Sequence, residues 1–252
     1  MSLSIIPARA GSIGINKKNL HELSGRPLIK WTFDFVKTHT TSDALVITTD
    51  DPKIISVCLG EGATEIFQEM QEAEVSKIQN GIYVHKRRTK DAEANSRTVN
   101  AVIDLLGSSL LSNYREDWIW LFQPTSPFRN IAELRDLEKI ITNAEFDSLI
   151  SVKEFESPHP LKALEIDQDK FIIENTNFMN LEKPRQELGN FCVPDGAYYI
   201  SRAQNILKNR SFYGNKNFSY VRRGAQTLNI DTENDFEYAE FIAINSQTAS
   251  EI

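Results

Sequence analysis

The sequence predicts an α/β protein: a three-layer α/β/α sandwich around a mainly parallel, Rossmann-like sheet. Short apolar runs alternate with helical patterns along most of the chain, the pattern of helices packed on both faces of a sheet. One run, Ala44-Leu45-Val46-Ile47, is apolar on both faces, as a strand covered from both sides must be. A first strand over 3–7 feeds a glycine-spaced loop and then a helix, the order in which such sheets begin. The 252 residues, 40% of them hydrophobic, suffice for one large core, so 1–252 reads as a single domain.

The loop after the first strand holds Arg9, Lys17 and Lys18 around Gly11 and Gly14. Glycine lets backbone approach a ligand closely, and consecutive amides form an anion-binding concavity. The stretch reads as a polyphosphate cradle, although a turn with solvated lysines has the same composition. It is neither a Walker loop nor the three-glycine dinucleotide fingerprint. Pro27 then opens a helix over 28–36, since the first helical turn tolerates a missing amide hydrogen. Trp31, Phe33 and Phe35 read as core.

A second strand over 43–50 ends in Thr48-Thr49-Asp50-Asp51, which caps a helix at Pro52. Asp50 suits either a cap or a ligand contact. Residues 52–80 look helical, with a break at Gly60-Glu61-Gly62. A third strand over 81–85 delivers Lys86-Arg87-Arg88 to its carboxyl end, where open α/β sheets bind ligands. A solvated basic cluster would look the same.

A helix spans 96–106, and 117–122 is a buried central strand whose tryptophans read as core. The loop Gln123-Pro124-Thr125-Ser126-Pro127 is stiffened by its prolines and can hold Gln123 toward a ligand, or merely cap the helix over 131–142. A strand over 147–152 precedes a limb of different character, 153–193, with strand-like pieces at 162–166 and 171–173. Such a limb buries too little alone and needs a partner surface. His159, between prolines, reads as structural. A strand over 196–201 returns to the sheet, short strands follow at 218–222 and 226–230, and Asp231-Thr232-Glu233 caps a last helix over 234–244.

Net charge is −7, which argues against a general nucleic-acid binder. No apolar run reaches membrane-spanning length, and the start lacks the pattern of a signal peptide. Cys58 and Cys192 have no metal spacing and fit free thiols in a reducing compartment, so a cytoplasmic protein with no membrane partner is expected. The four histidines form no zinc pattern.

The run Ile6-Pro7-Ala8-Arg9-Ala10-Gly11-Ser12-Ile13-Gly14 with Lys17-Lys18-Asn19 resembles the signature of the acylneuraminate cytidylyltransferases, the CMP-sialic acid synthetases. Four further stretches agree in order: Gln123 to Arg129, His159 to Lys162, Pro184-Arg185-Gln186, and Asp195 to Ile200, with Ile230-Asp231-Thr232-Glu233 closing the set. The resemblance implies a nucleotide-diphospho-sugar transferase type of fold and a homodimer built by the 153–193 limb. It implies CTP and an acidic nine-carbon sugar as substrates, and Mg2+ as cofactor.

It also implies roles. Arg9, Ala10, Gly11, Ser12, Lys18 and Asn19 would bind the nucleotide, with Arg87 near the base and Thr98 beside it. Arg9, Lys18 and Asp231 would carry catalysis. Gln123 and Tyr199 would hold the sugar, with Lys162 and Arg185 supplied from the partner subunit. Asp231 would hold the metal, with Asn229 at the position of a second family carboxylate.

The chain departs from the pattern at Ile13 (usually Lys), Asn229 (commonly Asp), Ala94 (frequently acidic), Val193 (frequently Arg) and Asp195 (usually Asn). Weaker triphosphate and metal binding follow as expectations, since one phosphate–cation contact is worth at most about 4 kcal/mol at an effective dielectric near 20. The rival readings are a transferase for an octulosonic, legionaminic or pseudaminic acid, one using another triphosphate, and a lapsed nucleotide-binding paralogue.

Overall fold

The computed structural model describes residues 1–11, 14–66, 80–87, 97–155, 159–173 and 178–248. Its centre is an eight-stranded sheet with the spatial order β10-β8-β9-β7-β1-β4-β6-β5. The strands are β1 (Ser2–Pro7), β4 (Ala44–Thr49), β5 (Thr64–Ile66), β6 (Gly81–Lys86), β7 (Trp118–Leu121), β8 (Ser148–Glu154), β9 (Cys192–Arg202) and β10 (Asn217–Arg222). β1 pairs in parallel with β4 and β7, with Ile5 opposite Val46 on one side and Leu121 on the other. β9 alone runs antiparallel, between β7 and β8. The carboxyl ends of β1, β4, β6 and β7 therefore share one edge with the amino end of β9.

Alternating side chains of these strands feed two cores. Ile6, Ile47, Trp120 and Leu149 meet α1 (Leu28–His39), α2 (Pro52–Gly60) and α4 (Ile131–Thr142) on one face. Leu3, Ile5, Val46 and Ile119 meet α3 (Thr98–Gly107) and α6 (Ala203–Asn209) on the other. The tryptophans Trp118 and Trp120 are core, as expected. A third cluster seats α7 (Glu233–Thr248) through Phe236, Ala239 and Ile242 on Ile15, Leu28 and Phe128. Area arguments make such burial worth roughly 1.5–3 kcal/mol per large apolar side chain.

The structure corrects several local expectations. The helix from Pro52 stops at Gly60, and Gly62, in the left-handed region at φ +86°, turns the chain into the edge strand β5. The rest of that stretch, 67–79, lies outside the described residues, as do Ser12, Ile13, Arg88 and Ala94. Residues 226–230 make no strand. A 3-10 turn, Ala225–Thr227, leads into a segment whose Ile230 N–H donates to the Thr125 carbonyl rather than to a sheet edge. In the limb the two expected strands reduce to one bridge between Ile166 and Ile172, and Pro160–Lys162 is a 3-10 turn capped by His159.

Two elements carry no strong sequence signal. β2 (Glu22–Leu23) and β3 (Arg26–Pro27) form a minimal hairpin whose turn, Ser24-Gly25, has both residues at positive φ, the geometry matching strand twist. α6 follows β9 directly. Cys58 is buried and Cys192 exposed, both as free thiols.

Candidate active site

The shared strand edge opens into a cleft of about 380 Å³. Each wall comes from the residues that follow a strand. Pro7 ends β1 and Arg9 follows it, Arg87 follows β6, and Gln123, Pro124 and Thr125 follow β7. Thr98 opens α3, turning that helix's positive end toward the cleft. Lys18, Asn19, Asn229 and Asp231 complete the lining.

Lys18 is held across the chain's whole length. Its Nζ donates to the Ile230 carbonyl at 2.8 Å and faces Asp231 Oδ1 at 3.2 Å. The lysine side chain is buried while that of Asp231 is 67% exposed, so the ammonium sits at the floor and the carboxylate at the rim. Gly14 makes this possible. It sits at φ +102°, and a Cβ there would come within 2.7 Å of the Asp231 carbonyl oxygen. The Asn19 amide donates to the Arg9 carbonyl at 3.0 Å, bracing the loop beneath Arg9.

Asp50 does not cap α2 and is not among the residues that line the cleft. Its Oδ1 accepts from the Ala10 amide at 2.8 Å, while Asp51 caps α2 by accepting from the Lys53 amide. Ala10 is thereby pinned, and Gly11 lies exposed beside it. Likewise Asp231 does not cap α7. Asp235 Oδ2 accepts from the amides of Asp231 and Thr232, and the Asp235 amide donates to Thr232 Oγ1 at 3.2 Å, a capping-box exchange. Burial works against the Asp235 carboxylate, yet these bonds and nearby Lys18 hold it below its ordinary range. Freed from capping, the Asp231 carboxylate turns to Lys18 and to Asn229, whose Nδ2 donates to Oδ2 at 2.7 Å.

Beneath Gln123 lies a polar layer that motif reading missed. Arg129 is buried and donates to the carbonyls of Gln123 and Ala197 at 2.8 and 3.0 Å and to Thr32 Oγ1 at 2.8 Å. Burial pushes its guanidinium down to about 10. Arg222 pairs with Asp195 at 2.7 Å and Glu133 at 3.0 Å; burial disfavours its charge, but these carboxylates outweigh that and raise its pKa. Ser126 Oγ donates to the Asp195 carbonyl at 2.8 Å, and Gly196, at φ +82°, leaves room for Ser126 and Gln123. The signal was there in part: Arg129 closes the Gln123 motif, and a hydroxyl flanked by prolines is a rigid donor.

Not every expected residue reaches the cleft. Tyr199 is not among its lining residues. It projects into the core on the α3–α6 face, edge-on to Phe212, and burial pushes its phenol up to about 12. Strand alternation explains this, because Tyr199 pairs with Leu121, whose side chain points to that core. Arg185 lines a separate small cavity with His159 and Phe191, and Lys162 lies on the limb; neither touches the cleft of its own chain.

The cleft's donor set fits a small, hard cation. It offers the Asp231 carboxylate at the rim with the Asn229 side-chain amide beside it, and Mg2+ commonly takes one or two carboxylates plus phosphate and water oxygens. Among the described residues no group of three or more acidic, His or Cys side chains would hold a metal alone.

Residues 3–77 match the family described as Cytidylyltransferase. The chain is 27% identical over 239 residues to an N-acylneuraminate cytidylyltransferase of Streptococcus agalactiae, covering 93% of this chain and 51% of that protein. It thus spans about half the length of that relative. It is 28% identical over 249 residues to the CMP-N,N'-diacetyllegionaminic acid synthase of Legionella pneumophila, covering 98% of each. Among solved structures it resembles a CMP:2-keto-3-deoxy-manno-octonic acid synthetase complexed with CTP, with a TM-score of 0.61, 13% identity and coverage of 97% and 99%. That likeness speaks to the fold.

Proposed function

We infer, on the premise that the chain belongs to the cytidylyltransferase family, that it activates an acidic nine-carbon sugar with CTP, giving the CMP-sugar and pyrophosphate. One observation carries the reading. Arg9, Lys18 and Asn19 from one end of the chain and Asp231 from the other line one cleft with Arg87, Thr98 and Gln123.

In this reading the sugar's anomeric hydroxyl attacks the α-phosphorus in line and the bond to pyrophosphate breaks. Such transfer needs positioning and charge neutralisation rather than covalent help. Arg9 and Lys18 neutralise the triphosphate and the leaving pyrophosphate. Asn19 bonds to the ribose hydroxyls, Thr98 lies beside the nucleotide, and Arg87 meets the base. Gln123, braced by Arg129, orients the sugar. Asp231, with the Asn229 side chain, would hold Mg2+. Bound there, the ion would supply Lewis-acid polarisation of the phosphate.

The protein acts in this reading as a cytoplasmic homodimer. The limb's exposed Leu164, Ile166, Phe171 and Met179 support a partner surface there. Lys162 and Arg185, outside their own cleft, then serve the neighbour's sugar site. The end-to-end likeness to a legionaminic acid synthase favours a second reading, in which the sugar is of legionaminic type.

The test is pyrophosphate release from CTP, GTP, UTP and ATP against a panel of acidic sugars with Mg2+. CTP with a nine-carbon acid should give the highest rate. Release only with an octulosonic acid would move the substrate, and tight CTP binding without release from any sugar would mark a lapsed enzyme.

A further inference from the structure

Asn229 joins two partners, Asp231 and Ser126, through opposite ends of its side-chain amide. On one side its Nδ2 donates to Asp231 Oδ2 at 2.7 Å. On the other its Oδ1 accepts from Ser126 Oγ at 3.1 Å. The Ser126 hydroxyl has one proton and two acceptors in reach, that amide oxygen at 3.1 Å and the Asp195 carbonyl at 2.8 Å. Ser126 is fully buried, so its own oxygen meets no water. In this orientation Asp231 is satisfied, and the amide oxygen shares a single proton with the Asp195 carbonyl.

Rotating the amide by half a turn reverses the pattern. Nδ2 then donates to Ser126 Oγ, which still donates to Asp195, and every group in the inner half of the chain is paired. Oδ1 now faces Asp231 Oδ2. Two oxygens that close repel unless a positive charge lies between them. The two ends of an amide are nearly the same size, so both orientations fit one space. That space exists because position 196 has no side chain. A Cβ there would lie 2.6 Å from Ser126 Oγ and 3.0 Å from Asn229 Oδ1.

We propose that Asn229 is a cation-responsive amide: it turns Nδ2 to Asp231 when the site is empty and Oδ1 to a divalent cation when one binds, with Ser126 as the positioning residue that stabilises the second state. In the first state both Asp231 oxygens are engaged, Oδ1 by Lys18 and Oδ2 by Asn229, so the site is self-occluded. A cation gains the rim only by turning the amide. The chain thereby keeps a single exposed carboxylate quiet until its ligands arrive. This rests on the reading that Asp231 anchors the ion, and the experiment separates the two.

The experiment is a Mg2+ titration, without nucleotide, of 15N-labelled protein. The Asn229 side-chain NH2 pair, assigned by its loss in Asn229→Asp, reports the amide. The Asp231 backbone amide, compared with an Asp231→Asn protein, reports local occupancy. Both signals should move with one dissociation constant in the wild type, and Ser126→Ala should weaken Mg2+ at least threefold. If the Asp231 signal moves while the NH2 pair stays still, the switch is overturned and the cation site stands. If neither moves at saturating Mg2+, both fall. Unchanged or tighter Mg2+ binding in a folded Ser126→Ala protein also overturns the switch, and should that variant not fold, the wild-type NH2 pair alone decides.

Discussion

Asn229 and Gly196 show how much single positions settle in the cleft. Asn229 contributes no charge, so the divalent ion meets one carboxylate where two would attract it more strongly. Asn229→Asp should therefore lower the Mg2+ concentration needed for half-maximal turnover several-fold; a Mg2+ titration of pyrophosphate release giving an unchanged or higher requirement would refute this. Gly196 is constrained twice, by its positive φ and by the oxygens of Ser126 and Gln123, 2.6 and 2.9 Å from any Cβ. Backbone strain of this kind costs about 1–3 kcal/mol. Gly196→Ala should lose stability of that order in urea denaturation, and the oxygens it displaces belong to the site, so turnover should fall with it. Retained stability and activity would mean that the loop yields freely.

At the scale of elements, the site depends on how strands end and helices begin. Thr232 and Asp235 cap α7, which leaves the carboxylate of Asp231, one residue upstream, to Lys18 and Asn229 rather than to the cap. Thr232→Ala should cost about 1 kcal/mol, the usual worth of such a cap, measured as a shift of the thermal or urea midpoint. The ion pairs of Arg222 weigh more. Its partners Asp195 and Glu133 are themselves buried, and removing one member of a buried pair costs about 3–5 kcal/mol. Arg222→Met should be among the most destabilising single changes in the protein, and a loss below 1 kcal/mol would contradict that.

These capping details also mark the limit of what the sequence reveals. The order of most strands and helices was legible because short continuous apolar runs alternate with longer helical patterns. The cleft lining was legible because Arg9, Arg87 and Gln123 follow strands, while Asp231 came from the family resemblance. The division of labour between adjacent carboxylates was not. Asp50 beside Asp51, and Asp231 near Asp235, are equivalent in composition, and only backbone geometry decides which one caps. Tyr199 was misplaced for a related reason: it lies within β9, where alternate side chains enter the two cores, Tyr198 and Ile200 one and Tyr199 the other. The bridge that replaces two limb strands reflects a segment with too little to bury on its own.

Across the whole molecule, burial sets the response to pH. Burial pushes the Cys58 thiol from its ordinary 9.0 up to about 11, and lifts the phenols of Tyr114 and Tyr199 from 10.0 to about 12. Each group holds its proton in the folded chain at pH values where the unfolded chain has released it. Their contribution to stability is therefore full below pH 9 and is lost as pH rises toward 11 and 12. Urea midpoints measured from pH 8 to 11 should decline, and less steeply in Cys58→Ala; a flat profile would contradict the burial. The same fold-wide arrangement brings Lys18 to residue 231 across the chain's length, and the proposed activity stands on that meeting. Calorimetry of CTP binding to the wild type and to Lys18→Met tests it most directly. The account predicts CTP binding by the wild type and a dissociation constant at least tenfold higher in a folded Lys18→Met protein. Equal affinity in the two would contradict it.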